Sequence, residues 1–234
     1  MQPFTLSDLH PDLPHFPFVW IPEGEFMMGS EDYDNEKPLH RVRLSGFWLS
    51  QFLATQELYL AVTGQNPSYF AGSPHRPVDQ VSWDDARAFL GRLGEMTGKN
   101  FALPTEAQWE YAARAGEPYT YAGSDHLHEV GWYEDNAHRE TKPVGLKKPN
   151  AWGLYDMSGN VWEWCQDRWS SDYYAECAKQ GLVVDPAGPA DGLGRVLRGG
   201  SWLNYAQYCR VAYRFNSCPY SRYSNRGFRL CLFP

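Results

Sequence analysis

From Gly116 to the C-terminus a Gly, Pro, Asn or Asp recurs every few residues, and that punctuation constrains the fold more than any other feature. Each such residue favours a turn, so this half of the chain has room for short strands but for neither long helices nor a wide regular sheet. The 234 residues include 21 Gly and 17 Pro, yet 43% of them are hydrophobic and ten are Trp. That apolar content is enough to bury a substantial core, so the turns read as ordered loops on a globular body and not as a disordered segment. One large domain is the simplest organisation for this length, and two small ones are the other.

The first half carries the regular elements. "FVWIPEGEFMMGS" (Phe18 to Ser30) reads as strand, turn and strand, broken at Pro22 and Gly24. "HRVRLSGFWLSQF" alternates at Val42 and Leu44 and also reads as sheet. A helix is expected from about Thr55 to Thr63, stopped by Gly64 and barred from continuing by Pro67. A second starts at Ser82 and Asp85, a capping box, continues with Ala86, Phe89, Leu90, Leu93 and Met96 at helical spacing, and ends at Gly98. A third starts at the box formed by Thr105 and Gln108 and closes at Gly116. Beyond it, "GRVLRGGSW" and "GFRLCLF" are short strands, the last expected to pair with an N-terminal one because both chain ends are apolar. Residues 1–17 read as an irregular arm laid over a single domain of residues 18–234, and no internal repeat is visible.

A formal charge of -7 argues against general nucleic-acid binding, which needs a basic field. The Arg residues between Arg195 and Arg229 are interleaved with loop residues and read as structural. No run approaches the roughly 18 apolar residues of a membrane span. The N-terminus lacks the basic-then-apolar order of a signal peptide. Among the five Cys there is no CxxC, and no Cys/His set has zinc-ligand spacing. They read as buried or incidental thiols with room for one pair, and the odd count leaves at least one free in a monomer, the simplest oligomeric state.

Five segments, in order, carry a resemblance: "WIPEGEFMMGS", "PVDQVSWDDARAFL", "LPTEAQWEYAARAG", "KPNAWGLYDMSGNVWEW", and "RVLRGGSW" followed by "GFRL". Together they resemble the domain of formylglycine-generating enzymes and sulfatase-modifying factors, over nearly the whole chain from about residue 18. The resemblance implies an α+β, C-type lectin-like fold with about two to three helices, short antiparallel strands and little regular secondary structure. The enzymes of that family oxidise a sulfatase Cys with two copper-binding Cys, in a pattern resembling "RGGSWLC" with the second Cys five residues on. Here the segment is "RGGSWLNYAQYC", with Asn204 at the first position and only Cys209 remaining. One thiolate cannot build the two-sulfur site that Cu(I) favours, so no copper and no catalysis are expected. Iron-dependent sulfoxide synthases, a second group of relatives, need clustered His ligands, and here only His126 and His128 are close in sequence.

The family's calcium loop resembles "DMSGNVWEW". The resemblance implies a structural Ca²⁺ held by the Asp156 side chain, the carbonyls of Gly159 and Val161, and the Glu163 carboxylate, hard oxygen ligands of the kind calcium takes. The alternative, in which Asn160, Trp162 and Glu163 are turn and core residues, stays open.

Most of residues 198–230 separate into two sets. Arg198, Gly199, Gly200, Ser201, Trp202, Ala206, Gln207, Cys209, Arg210, Val211, Ala212, Arg214, Pro219, Arg222, Gly227, Phe228 and Arg229 read as scaffold. Leu203, Asn204, Tyr205, Tyr208, Tyr213, Phe215, Asn216, Ser217, Cys218, Tyr220, Ser221, Tyr223, Ser224 and Asn225 lie between them. Every member of the second set can be encoded by a codon that differs from AAC only at its adenines. Lys, Glu, Gln, Met and Trp cannot be, and none appears in it. This pattern resembles the variable proteins of diversity-generating retroelements, several of which use the same lectin-like domain. Tyr offers large amphipathic contact area at low entropy cost, and Ser and Asn add adaptable hydrogen bonds, as in antibody loops. Side chains that vary must not hold the fold, so they are expected to point outward; Phe215 and Cys218 are the two for which a core position is an equal alternative.

The function expected is therefore a non-enzymatic binding module with a shallow variable surface for a macromolecular ligand, a protein surface in preference to a carbohydrate. By resemblance it is displayed at a cell surface or outside the cell. The competing readings are an oxidase of the sulfatase-modifying type, its inactive accessory, or a surface protein without a specific ligand.

Overall fold

In the computed structural model, which describes residues 3–233, the sequence caps form as written. Helix α1 (Gln56–Thr63) starts at Thr55, whose side chain accepts from the Leu58 amide, and ends at Gly64 in the left-handed region. Helix α2 (Trp83–Thr97) has the reciprocal Ser82/Asp85 box, and α3 (Glu106–Arg114) the Thr105/Gln108 box. The left-handed residue that closes α3 is Ala115, one position before the expected Gly116, because the Ala115 amide already reaches the Tyr111 carbonyl. Two further short helices, α4 (Leu127–Val130) and α5 (Tyr173–Lys179), bring the described total to five where two to three were expected. Neither makes a side-chain cap bond, although Asp172 stands at the N-cap position of α5.

The strands form three sheets. Strands β1 (Phe4–Thr5), β2 (Pro17–Ile21), β5 (Phe47–Ser50), β12 (Cys231–Leu232) and β6 (Phe101–Ala102) lie in that spatial order. The last strand thus pairs antiparallel with β5 on one side and β6 on the other. A second sheet has the order β10 (Arg214–Ser217), β9 (Arg195–Arg198), β7 (Trp162–Arg168), β11 (Arg226–Gly227). In the third, β4 (His40–Leu44) lies between β3 (Gly24–Met28) and β8 (Leu182–Val184). The arm is more than a covering: β1 pairs with β2, and Leu6, Leu13 and Phe16 are buried in the core.

Alternation along these strands divides the interior. Trp48, Leu197, Trp164 and Leu232 face one cluster, built on α1 and α2 through Leu58, Phe89, Leu90 and Leu93. Their strand neighbours Leu49, Val196, Cys165 and Cys231 face the other, built on α3 through Ala107, Trp109 and Ala112. Each fully buried large apolar side chain contributes about 1.5–3 kcal/mol. Both faces of β7 are covered, and its edge neighbours β9 to β11 carry residues 195–227, the segment that contains the candidate variable set.

Candidate ligand-binding face

Three buried guanidiniums fix the backbone of this segment. Arg198 donates to Glu106 at 2.9 Å, to Glu110 at 2.6 Å and to the Val211 carbonyl at 2.6 Å. Arg214 grips both Glu106 oxygens, at 2.6 and 2.7 Å, and the Asn35 carbonyl at 2.8 Å. Arg229 grips both Glu163 oxygens, at 2.5 and 3.1 Å, and the carbonyls of Ser50 and Tyr155. Such bidentate pairs hold position as well as charge. Burial works against ionisation of Glu110, but Arg114 and Arg198 outweigh it and hold its carboxyl below the usual range. Beside them Asp167, whose carboxylate accepts from the Glu106 amide at 2.8 Å, is pushed up to about 8, by burial first and then by the Glu106 charge.

Two glycines complete the scaffold by different means. Gly200 has φ of +74°, a left-handed conformation, and a Cβ there would also collide with Cys209. Gly227 has no such angle; it is required because the Val78 carbonyl and Val161 side chain approach too closely for any Cβ.

None of the fourteen candidate variable residues is buried. Leu203, Tyr205, Phe215, Tyr220 and Tyr223 are exposed, as is Cys218, so Phe215 and Cys218 lie outside the core. Asn204, Tyr208, Tyr213, Asn216, Ser217, Ser221, Ser224 and Asn225 are half-buried. Twelve of the seventeen scaffold residues are buried, and Ala206, Arg210 and Pro219 are half-buried. Gln207 and Arg222 are exposed; Arg222 still acts as a tie, with both its bonds to Asp85 of α2 at 2.7 Å.

The variable residues are held through their backbones. The Trp162 amide donates to the Asn225 carbonyl at 2.8 Å, the Trp202 indole to Ser224 at 3.1 Å, the Gln80 amide to Tyr223 at 3.1 Å, and the Glu134 amide to Asn204 at 3.1 Å. These bonds do not depend on which side chain occupies positions 204 and 223 to 225.

Six of the fourteen come together. Asn204, Tyr208, Tyr213, Phe215, Tyr223 and Asn225, with Trp162 and Arg226, line an open concavity of about 490 Å³. Tyr208 meets Tyr213 edge-on at 5.1 Å, and Phe215 lies tilted over Trp162 at 5.4 Å. The other eight lie outside this lining, on the surrounding surface. Sequence reading missed Tyr33, whose ring meets Tyr213 at 5.7 Å from a distant loop, because nothing local marks that contact. It also missed Trp162 and Arg226 as lining residues; the apolar "NVWEW" run hides the first.

Asn204, at the first copper-ligand position of the related enzymes, accepts from the Ser201 hydroxyl at 2.5 Å. Cys209 is sealed from solvent, and burial pushes its thiol up to about 12. The calcium loop is a tight one, with Asp156, Gly159 and Asn160 at φ of 57°, 93° and 65°. Asp156 is buried and accepts from the Gly145 amide at 2.8 Å, and burial pushes its carboxyl up to about 6. Val161 packs in the core, and the Gly159 amide donates to the Gly199 carbonyl at 2.7 Å. Glu163 is withdrawn from the expected ligand set, because Arg229 takes both its oxygens. The four residues therefore do not fit a calcium cage closed by Glu163. Among the described residues no group of three or more His, Cys, Asp or Glu side chains gathers as for a metal.

Residues 7–232 match the model of the sulfatase-modifying factor enzyme 1-like domain. A formylglycine-generating enzyme of Streptomyces coelicolor is 35% identical, over 90% of this chain and 87% of that one. The solved structure of variable protein 1 from Treponema denticola superimposes with a TM-score of 0.90 at 33% identity, covering 100% of this chain and 99% of that one. PvdO from Pseudomonas aeruginosa superimposes at 0.83 with 26% identity, covering 100% and 98%. With the α+β architecture of the described residues, these likenesses identify the chain as a member of the sulfatase-modifying factor enzyme 1-like family.

Proposed function

We propose that this chain is a non-enzymatic binding protein whose variable Tyr-, Ser- and Asn-rich side chains form a recognition face for a protein ligand. One observation carries the reading. All fourteen candidate variable side chains escape burial, while the residues interleaved with them supply buried guanidiniums, glycines and apolar side chains. A segment that tolerates replacement at the first set without disturbing the second is what a diversified surface requires. The aromatic content has a cost unless it is used, since Leu203, Tyr205, Phe215, Tyr220 and Tyr223 each expose apolar area to solvent. A shallow face with aromatic walls suits a partner's surface better than a small molecule.

Likeness to a formylglycine-generating enzyme keeps oxidase chemistry as the second reading. The single, buried, high-pKa thiol at Cys209 speaks against it. Display at a cell surface or outside the cell follows from the same proposal.

The test is genomic and enzymatic. The reading expects, near the gene, a copy of the DNA for residues 198–230 that differs only at adenines, and a reverse transcriptase beside it. It also expects no copper-dependent oxidation of a Cys-containing peptide. A copy that differs at scaffold codons, the lack of any copy, or turnover of the peptide would overturn it.

A further inference from the structure

Position 226 falls in neither of the two residue sets, yet Arg226 lines the concavity. It is 92% buried, from a relative exposure of 8%, and among the described residues no carboxylate pairs with it. Every other buried Arg of the segment does have one: Glu106 and Glu110 for Arg198, Glu106 for Arg214, Glu163 for Arg229. The guanidinium is instead held by neutral groups. Its Nη1 donates to the hydroxyls of Ser217 and Ser221 at 2.8 Å each, and its Cζ lies over the rings of Tyr223, at 4.1 Å, and Trp164, at 5.5 Å.

That arrangement leaves Nε and Nη2 on the opposite edge. Neither has an acceptor among the described residues, and unlike Arg198 Nε neither is sealed from solvent. Two parallel N–H groups on one edge of a guanidinium match the two oxygens of a carboxylate. A buried cation without a counter-charge is costly, and a ligand that supplies the charge gains by relieving it.

Resting on the reading of this face as a recognition face, we infer that Arg226 is its anion-selective anchor, taking an Asp or Glu carboxylate of the protein partner between the rings of Tyr213, Phe215 and Tyr223. The Ser217 and Ser221 hydroxyls hold Nη1 and so leave the opposite edge to the ligand. The chain as a whole is acidic, with a net charge of -7, so this cationic point selects one side chain and does not attract acidic partners in general.

The experiment uses the full chain and two capped peptides, acetyl-Gly-Glu-Tyr-amide and its Gln counterpart. Binding is followed by NMR through the Arg226 Nε–H signal and the backbone amides of Tyr213, Phe215 and Tyr223. The Glu peptide is expected to bind roughly tenfold more tightly and to shift the Arg226 signal. In R226Q that preference disappears, and in R226K it persists at reduced size; both variants are checked for an unchanged backbone spectrum. The wild-type comparison stands even if a variant fails to fold. Equal binding of the two peptides at these amides would overturn the anchor and leave the recognition face intact. Binding of neither would overturn the anchor and weigh against the face as well. N-acetylneuraminic acid binding more tightly than the Glu peptide would move the carboxylate to a sugar and overturn the assignment to a protein partner.

Discussion

Glu106→Gln is the sharpest test of how the scaffold is held. The replacement keeps the shape but removes the charge shared by Arg198 and Arg214, and turns one acceptor edge into a donor that faces them. Arg198 retains Glu110, so its charge stays compensated. Arg214 is left with the Asn35 carbonyl and the rings of Trp169 and Tyr174, at 4.5 and 3.7 Å, and no carboxylate. Removing one partner of a buried pair costs about 3–5 kcal/mol. At roughly 2–4 °C per kcal/mol for a chain of this size, Tm falls by about 6–20 °C. Urea unfolding at pH 6 measures the loss. It has a diagnostic pH dependence, because Asp167 beside Glu106 is held neutral partly by the Glu106 charge. Once that charge is gone, Asp167 ionises more easily and restores part of the balance, so the deficit at pH 8 is smaller than at pH 6. A loss below about 1 kcal/mol, or a deficit that grows with pH, would refute this account of the buried network.

Other expectations follow from single residues. Asp167→Asn tests linkage: a carboxyl raised from 3.8 to about 8 in the folded state contributes stability that is full below about pH 4 and is lost as pH rises through 8. The variant should therefore lose less stability between pH 5 and 8, by up to about 1.4 kcal/mol per unit, and an unchanged slope in urea melts would contradict the raised value. Gly159→Ala should cost about 3 kcal/mol or more, since φ is +93° and a Cβ would press into the Trp132 carbonyl; a variant as stable as wild type would mean the loop readily gives way. Calcium at about 1 mM, compared with a chelator, should leave Tm within about 1 °C, because Arg229 already occupies Glu163; a rise of several degrees would show that the ion displaces it. Of the five thiols, Cys218 alone should react quickly with Ellman's reagent in the native protein.

What the sequence revealed was whatever is encoded locally. The boxes at Ser82/Asp85 and Thr105/Gln108 are formed within three residues, and both helices begin where they predict. The left-handed stop at Gly64 is equally local. β7 escaped because six of its seven residues are buried or nearly so on both faces, which leaves no alternation to read. β10 escaped for a related reason: Arg214 reads as a surface residue and is in fact buried, an inversion that only Glu106, 108 positions away, explains. At the candidate site, the division into inward and outward residues was legible because glycine, arginine and small apolar residues alternate with Tyr, Ser and Asn. Which outward residues share a concavity was not, because that depends on how β9, β10 and the 218–225 loop are juxtaposed. The carboxylate partners of the buried Arg were invisible for the same reason, lying on α3 and β7.

The central claim is that the fourteen side chains carry recognition and leave the fold to their neighbours. A display library in which positions 203–205, 208, 213, 215–218, 220, 221 and 223–225 are encoded by codons ending in C with the first two bases free tests it directly. The library is sorted for protease resistance and then against a protein target unrelated to the native ligand. The account predicts that most members remain folded and that specific binders emerge, distinct in those positions. If resistance collapses across the library, or binders arise no more often than from a library randomised on the face opposite, the side chains hold the structure and the claim is wrong.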